Sequence, residues 1–99
     1  MNKTLLHTIQ LSLSQAPVQK AWLFGAFARN EETVESDIDI LVEFISGMKI
    51  SLFDYGAIVY DLEQATGYKI DFVQDGMFKS FARKSVGYDK ILIYERKTA

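Results

Sequence analysis

The segment Asp37-Ile38-Asp39-Ile40-Leu41-Val42-Glu43-Phe44 constrains this chain more than any other. Its residues alternate, with Ile38, Ile40, Val42 and Phe44 on one side and Asp37, Asp39, Leu41 and Glu43 on the other. A period of two is that of a β-strand with one face turned into a core. Aspartate is disfavoured in strands, so two of them need a reason. Side chains two positions apart stand about 6.6 Å from each other along one face, so Asp37 and Asp39 look into the same space above the sheet. A hard divalent cation relieves such a pair, because Mg²⁺ takes oxygens from one or two carboxylates and fills its shell with water and substrate phosphates. An exposed strand end with both carboxylates in water is the alternative, and this segment alone leaves both open.

The flanking residues predict the rest of the frame. Leu5, Leu6, Ile9 and Leu13 recur at helical spacing up to Pro17, which fits an amphipathic first helix. Val18 to Phe24 is β-branched, aromatic and apolar, a strand buried enough to place Trp22 and Phe24 in the core. Ser51 and Asp54 form a capping-box start. From there Tyr55, Ile58, Val59, Leu62 and Thr66 carry a helical stripe that Gly67 closes, predicting a helix near 52–66. Gly56 inside it costs about 1 kcal/mol relative to alanine, too little to outweigh the stripe. Tyr68 to Gln74 reads as a third strand. Met77, Phe78, Phe81 and Ala82 suggest a short helix capped near Gly87, and Ile91 to Glu95 a last strand. The order α-β-loop-β-α-β-α-β describes an α/β (α+β) fold in which helices cover a sheet.

Ninety-nine residues suit one domain spanning 1–99, with no room for a separate substrate-holding module. A formal charge of −2 gives none of the basic field that drives non-specific nucleic-acid binding, so nucleic acid is not favoured as a direct partner. Cysteine is absent and His7 is the only histidine, which excludes thiolate chemistry and a histidine-rich zinc site. Any metal must therefore be held by oxygen. The apolar run Ala21 to Ala28 is far short of the ~20 residues that span a bilayer, and a soluble, cytoplasmic protein is expected.

Two further features join Asp37 and Asp39. Gly25 ends the first strand at what reads as a single helical turn, where glycine lets backbone approach a ligand, N–H groups suit phosphate and Arg29 could add a cation; an ordinary tight turn with Arg29 a solvated charge is the alternative, and the loop alone leaves both open. Asp71 lies between Ile70 and Phe72 in an otherwise apolar strand, and if that strand flanks the Asp37–Asp39 strand, three carboxylates meet; pairing with Lys69 or another cation is the alternative. His7 reads as a surface imidazole and Ser36 as a residue bonding local backbone. Lys79, Arg83 and Lys84 make a small basic face, of a kind usually solvated.

The loop Gly25-Ala26-Phe27-Ala28-Arg29-Asn30, the stretch Ser36 to Val42 and the stretch Asp61 to Val73 resemble, in order and spacing, the minimal nucleotidyltransferase domain of the DNA polymerase beta-like nucleotidyltransferase superfamily. The resemblance extends over nearly the whole chain, to Ile93-Tyr94-Glu95. It implies a small mixed sheet of about four strands covered by helices. It implies that the glycine loop holds a nucleoside triphosphate through Gly25, Ala26 and Arg29, and that Asp37, Asp39 and Asp71 are catalytic residues and ligands of two Mg²⁺ ions. The implied reaction moves AMP from ATP onto a hydroxyl of a partner protein. The implied partner is an all-helical HEPN ribonuclease toxin, to which such a chain is the antitoxin, acting by modification or by occlusion. The family usually has Gly-Ser at the loop, whereas Ala26 brings no hydroxyl; Asn30 stands where the loop usually ends in glycine.

Overall fold

Asn2 starts the first helix: its side-chain oxygen accepts from the Leu5 N–H at 2.7 Å, satisfying one of the donors a helix start leaves open. In this computed structural model, which describes residues 1–74 and 90–97, α1 runs Lys3–Ser14, β1 Val18–Phe24, α2 Gly25–Ala28, β2 Ile38–Phe44, α3 Leu52–Thr66, β3 Ile70–Gln74 and β4 Ile91–Glu95. The short helix expected around Met77, Phe78, Phe81 and Ala82 with its cap at Gly87, and the basic face of Lys79, Arg83 and Lys84, lie outside the described residues.

The four strands form one sheet in the order β3-β2-β1-β4. β1 pairs antiparallel with both β2 and β4, while β2 and β3 run parallel across the α3 crossover, so the sheet is mixed as expected. The capping box at Ser51 is complete: Ser51 Oγ accepts from the Asp54 N–H at 3.1 Å, and Asp54 Oδ2 accepts from the Ser51 N–H at 3.0 Å. Gly67 ends α3 at φ 77°, a left-handed conformation natural to glycine. Both predicted boundaries of that helix hold.

One face of the sheet makes the core. Ala21, Leu23, Ile38, Ile40, Val42, Ile70, Phe72 and Ile93 pack with Ile9 and Leu13 of α1 and Ile58 and Leu62 of α3. Each such aliphatic or aromatic side chain contributes about 1.5–3 kcal/mol by leaving water. Trp22 and Phe24 are not part of that cluster, which corrects the sequence expectation. They lie opposite Leu41 and Asp39 in the β1–β2 register and are only half-buried. The reason is parity: Ala21 and Leu23 already take the helix-facing positions, so 22 and 24 project from the other face. The apolar composition of β1 hid that alternation. The ammonium of Lys90 sits 4.6 Å from the centre of the Trp22 ring. No helix among the described residues is long and apolar enough to cross a membrane.

Candidate active site

The parallel register pairs Asp39 with Asp71, Ile38 with Ile70 and Ile40 with Phe72. Because the isoleucines and Phe72 point into the core, the two aspartates share the opposite face, side by side on neighbouring strands. Asp39 is half-buried and Asp71 exposed. Burial raises the Asp39 carboxyl to about 6, helped by the charge of Asp71, by a hydrogen bond between the two side chains and by the charge of Asp37; Arg29 pulls the other way. Two carboxyls that can share one proton are short of positive charge.

Asp37 is exposed and stands one residue ahead of β2 rather than inside it. The strand begins at Ile38, whose N–H donates to the Lys69 carbonyl at 2.9 Å. Asp37 reaches Asp39 through its charge, but among the described residues no three acidic or histidine side chains close into a ready metal cage. Asp39 and Asp71 thus form the contacting pair, with Asp37 at its flank. The loop before them is held locally: Thr33 N–H donates to Ser36 Oγ at 2.8 Å and Ser36 N–H to the Thr33 carbonyl at 3.1 Å. That is the backbone role expected of Ser36.

On the other side of Asp39, Phe24 delivers the chain into Gly25 at φ 73°. A Cβ at Gly25 would fall inside contact distance of Asp39 Oδ2 and 3.2 Å from its Cγ. Only glycine satisfies both the backbone angle and the space. α2 follows as a single turn with Ala26 half-buried and Phe27 in the core, and it ends at Arg29. Arg29 is exposed, donates from Nε to Glu31 Oε1 at 2.9 Å and bears electrostatically on Asp39. Asn30 leaves the turn at φ 57°, the left-handed conformation that a short polar side chain tolerates. Gly25, Arg29, Asp37, Asp39 and Asp71 are therefore gathered around one point, with Ala26 on the loop beside it. His7 is exposed on α1.

Sequence reasoning missed two contacts that shape the site. Tyr68 packs edge-on against Phe27 with ring centres 5.5 Å apart, tying the α3–β3 connection to the glycine loop. Glu63 Oε2 accepts from the Ile70 N–H at 3.0 Å. The first is foreshadowed by an aromatic residue just past a helix cap; the second has no signal in a helix end that reads as solvated acid.

Residues 6–98 match the family described as Nucleotidyltransferase domain. The chain belongs to that family. It is 36% identical over 77 residues, 77% of each chain, to a protein of Methanocaldococcus jannaschii that carries the provisional name protein adenylyltransferase. Its fold matches a solved structure described, again provisionally, as a minimal nucleotidyltransferase, with 28% identity, TM-score 0.70 and coverage of 90% of this chain and 92% of that one. It also matches a Shewanella oneidensis structure of a tri-AMPylated HEPN toxin in complex with its MNT antitoxin, at 17% identity and TM-score 0.73, over 97% of this chain and 74% of that one. The nucleotidyltransferase family fixes the chemistry to movement of a nucleotidyl group, and the fold is that of the family.

Proposed function

We propose that this nucleotidyltransferase moves AMP from ATP onto a hydroxyl of a HEPN-type helical toxin, with Mg²⁺ held by Asp39, Asp71 and Asp37, and that it serves as the antitoxin of that toxin. The observation that carries the reading is the Asp39–Asp71 pair on one sheet face with Gly25 pressed against Asp39. An all-oxygen donor set short of positive charge suits a hard divalent cation. When bound, that cation supplies neutralisation of the triphosphate and steadies the departing pyrophosphate.

The chain's own residues do the remainder. Gly25 lets the backbone of the loop come close to the triphosphate, and the first N–H groups of a helical turn, which have no partner inside it, are free to donate to phosphate oxygens. Arg29 adds positive charge on the same side. Asp71, the more exposed of the pair, accepts the proton of the acceptor hydroxyl. The acceptor oxygen bonds to the α-phosphorus while the bond from that phosphorus to the bridging oxygen breaks, and pyrophosphate leaves. The provisional name of the Methanocaldococcus relative supports protein as acceptor, and the AMP on the Shewanella toxin supports both the nucleotide and the kind of partner.

The test is transfer of labelled AMP from ATP to a co-expressed HEPN partner. Wild type is expected to label it, and Asp37→Asn is expected to abolish labelling while the complex still forms. Because Ala26 lacks a hydroxyl, a second reading is an antitoxin that masks its toxin without modifying it. Neutralisation that survives removal of all three acids selects the second reading and overturns the first.

A further inference from the structure

We propose that Glu63 is a positioning residue for Asp71: its carboxylate fixes the first residue of β3 and so sets the third acid beside Asp39. Among the described residues β3 is an edge strand, and only its β2 side is paired. In the parallel ladder Ile38 bonds to the residues flanking Ile70, beginning with the Lys69 carbonyl at 2.9 Å. The Ile70 N–H therefore points away from β2, to the side where no described strand receives it. Glu63 receives it instead, through Oε2 at 3.0 Å.

The same residue also holds the other end of the connection. Its backbone carbonyl accepts from the Gly67 N–H at 2.8 Å, closing α3. Thr66 Oγ1 donates to the Leu62 carbonyl at 2.7 Å and accepts from the Tyr68 N–H at 3.2 Å, which stiffens the residues between. Helix end and strand start are thus both fastened to Glu63. Asp71 is the next residue after Ile70, so a free first residue of β3 moves Asp71 before it moves anything else in the sheet. A displacement of about 1 Å at a reacting group costs on the order of 100-fold in rate. Gly25 lies on the β1 side of Asp39, across from this bond.

The test compares Glu63→Ala with Glu63→Gln, which keeps an acceptor oxygen. Amide exchange at Ile70 is expected to quicken at least about 10-fold in the alanine variant and to stay near wild type in the glutamine variant. A crystal structure of Glu63→Ala is expected to show Asp71 displaced from Asp39 with the core unchanged. Resting on the proposed function, kcat should fall by roughly 10- to 100-fold in Glu63→Ala, with KM for ATP within about two-fold, and Glu63→Gln should recover most of it. Unchanged exchange at Ile70, an unmoved Asp71, or a loss expressed only in KM overturns the proposal, as does a glutamine variant no better than alanine. A merely structural Glu63 would lower kcat only as far as it lowers the folded fraction, which circular dichroism measures. If the wild-type chain transfers no AMP, the reading of function fails while exchange and the position of Asp71 still decide the role of Glu63.

Discussion

Asp39 has unlike neighbours on its two sides. Toward β1 it meets Gly25, a position where a single methyl group has no room and the backbone angle already excludes most residues. Toward β3 it meets Asp71, a contact made of charge and a hydrogen bond between the two side chains. The first side is set by shape and does not yield; the second is set by electrostatics and changes with pH, with bound cation and with anything that moves β3. A site built this way keeps its nucleotide loop fixed while the carboxylates adjust to what they hold.

The comparison is broken most severely by Gly25→Ala. The added Cβ collides with Asp39 Oδ2, and the left-handed backbone costs about 1–2 kcal/mol more for a residue with a side chain. Asp39 must leave its place beside Asp71, so one substitution damages both sides. AMP transfer should fall by at least about 100-fold, with the sheet still folded by circular dichroism. Transfer within about three-fold of wild type would mean that the glycine side is not rigid.

The unequal legibility of the two sides has a physical origin. Alternation along 37–44 gave away β2 and its acid face, and the Ser51 and Gly67 caps gave away α3, because local rules decide those features. Asp71 was a candidate only on condition that β3 flanked β2, and strand order is a long-range property that no local pattern encodes. The apolar residues of β1 disguise its two faces, so sequence alone places Trp22 and Phe24 in a core to which they do not belong. Glu63 was invisible for a different reason: a carboxylate that receives a backbone N–H from a later strand looks the same in sequence as one that faces water.

A smaller effect, in the opposite direction, is expected at Ala26. Restoring a hydroxyl with Ala26→Ser adds one donor toward a charged phosphate oxygen, worth about 1.5–3 kcal/mol when the geometry is good. Transfer should rise by roughly 10- to 100-fold, seen first in KM for ATP, with no change in melting temperature. The gain belongs to the glycine side alone. If Ala26→Ser is silent, the half-buried Ala26 side chain does not face the phosphates, and the loop binds through backbone only.

The smallest effect probes the other side, through stability rather than rate. Asp39 is raised from 3.8 to about 6 in the folded chain, so the folded state holds a proton that the unfolded state has released. Its contribution to stability is whole below pH 3.8 and is lost as pH rises through about 6. Asp39→Asn does not titrate, and its amide can donate to Asp71 at any pH. The Asp54 carboxyl, which Ser51 holds below its ordinary value, is far from this change, titrates alike in both proteins and cancels in the difference. Without nucleotide or metal, the variant should match wild type near pH 4 and exceed it above pH 7. The margin is roughly 1 kcal/mol, allowing for the solvent that screens a half-exposed group, or about 4–8 °C in melting temperature. Adding Mg²⁺ and ATP should raise the melting temperature of wild type and not of the variant, because only wild type has a carboxylate pair whose repulsion the cation relieves. A variant no more stable than wild type at pH 8 would show that Asp39 and Asp71 do not oppose each other, and the electrostatic side of the comparison would fail while the steric side at Gly25 stood.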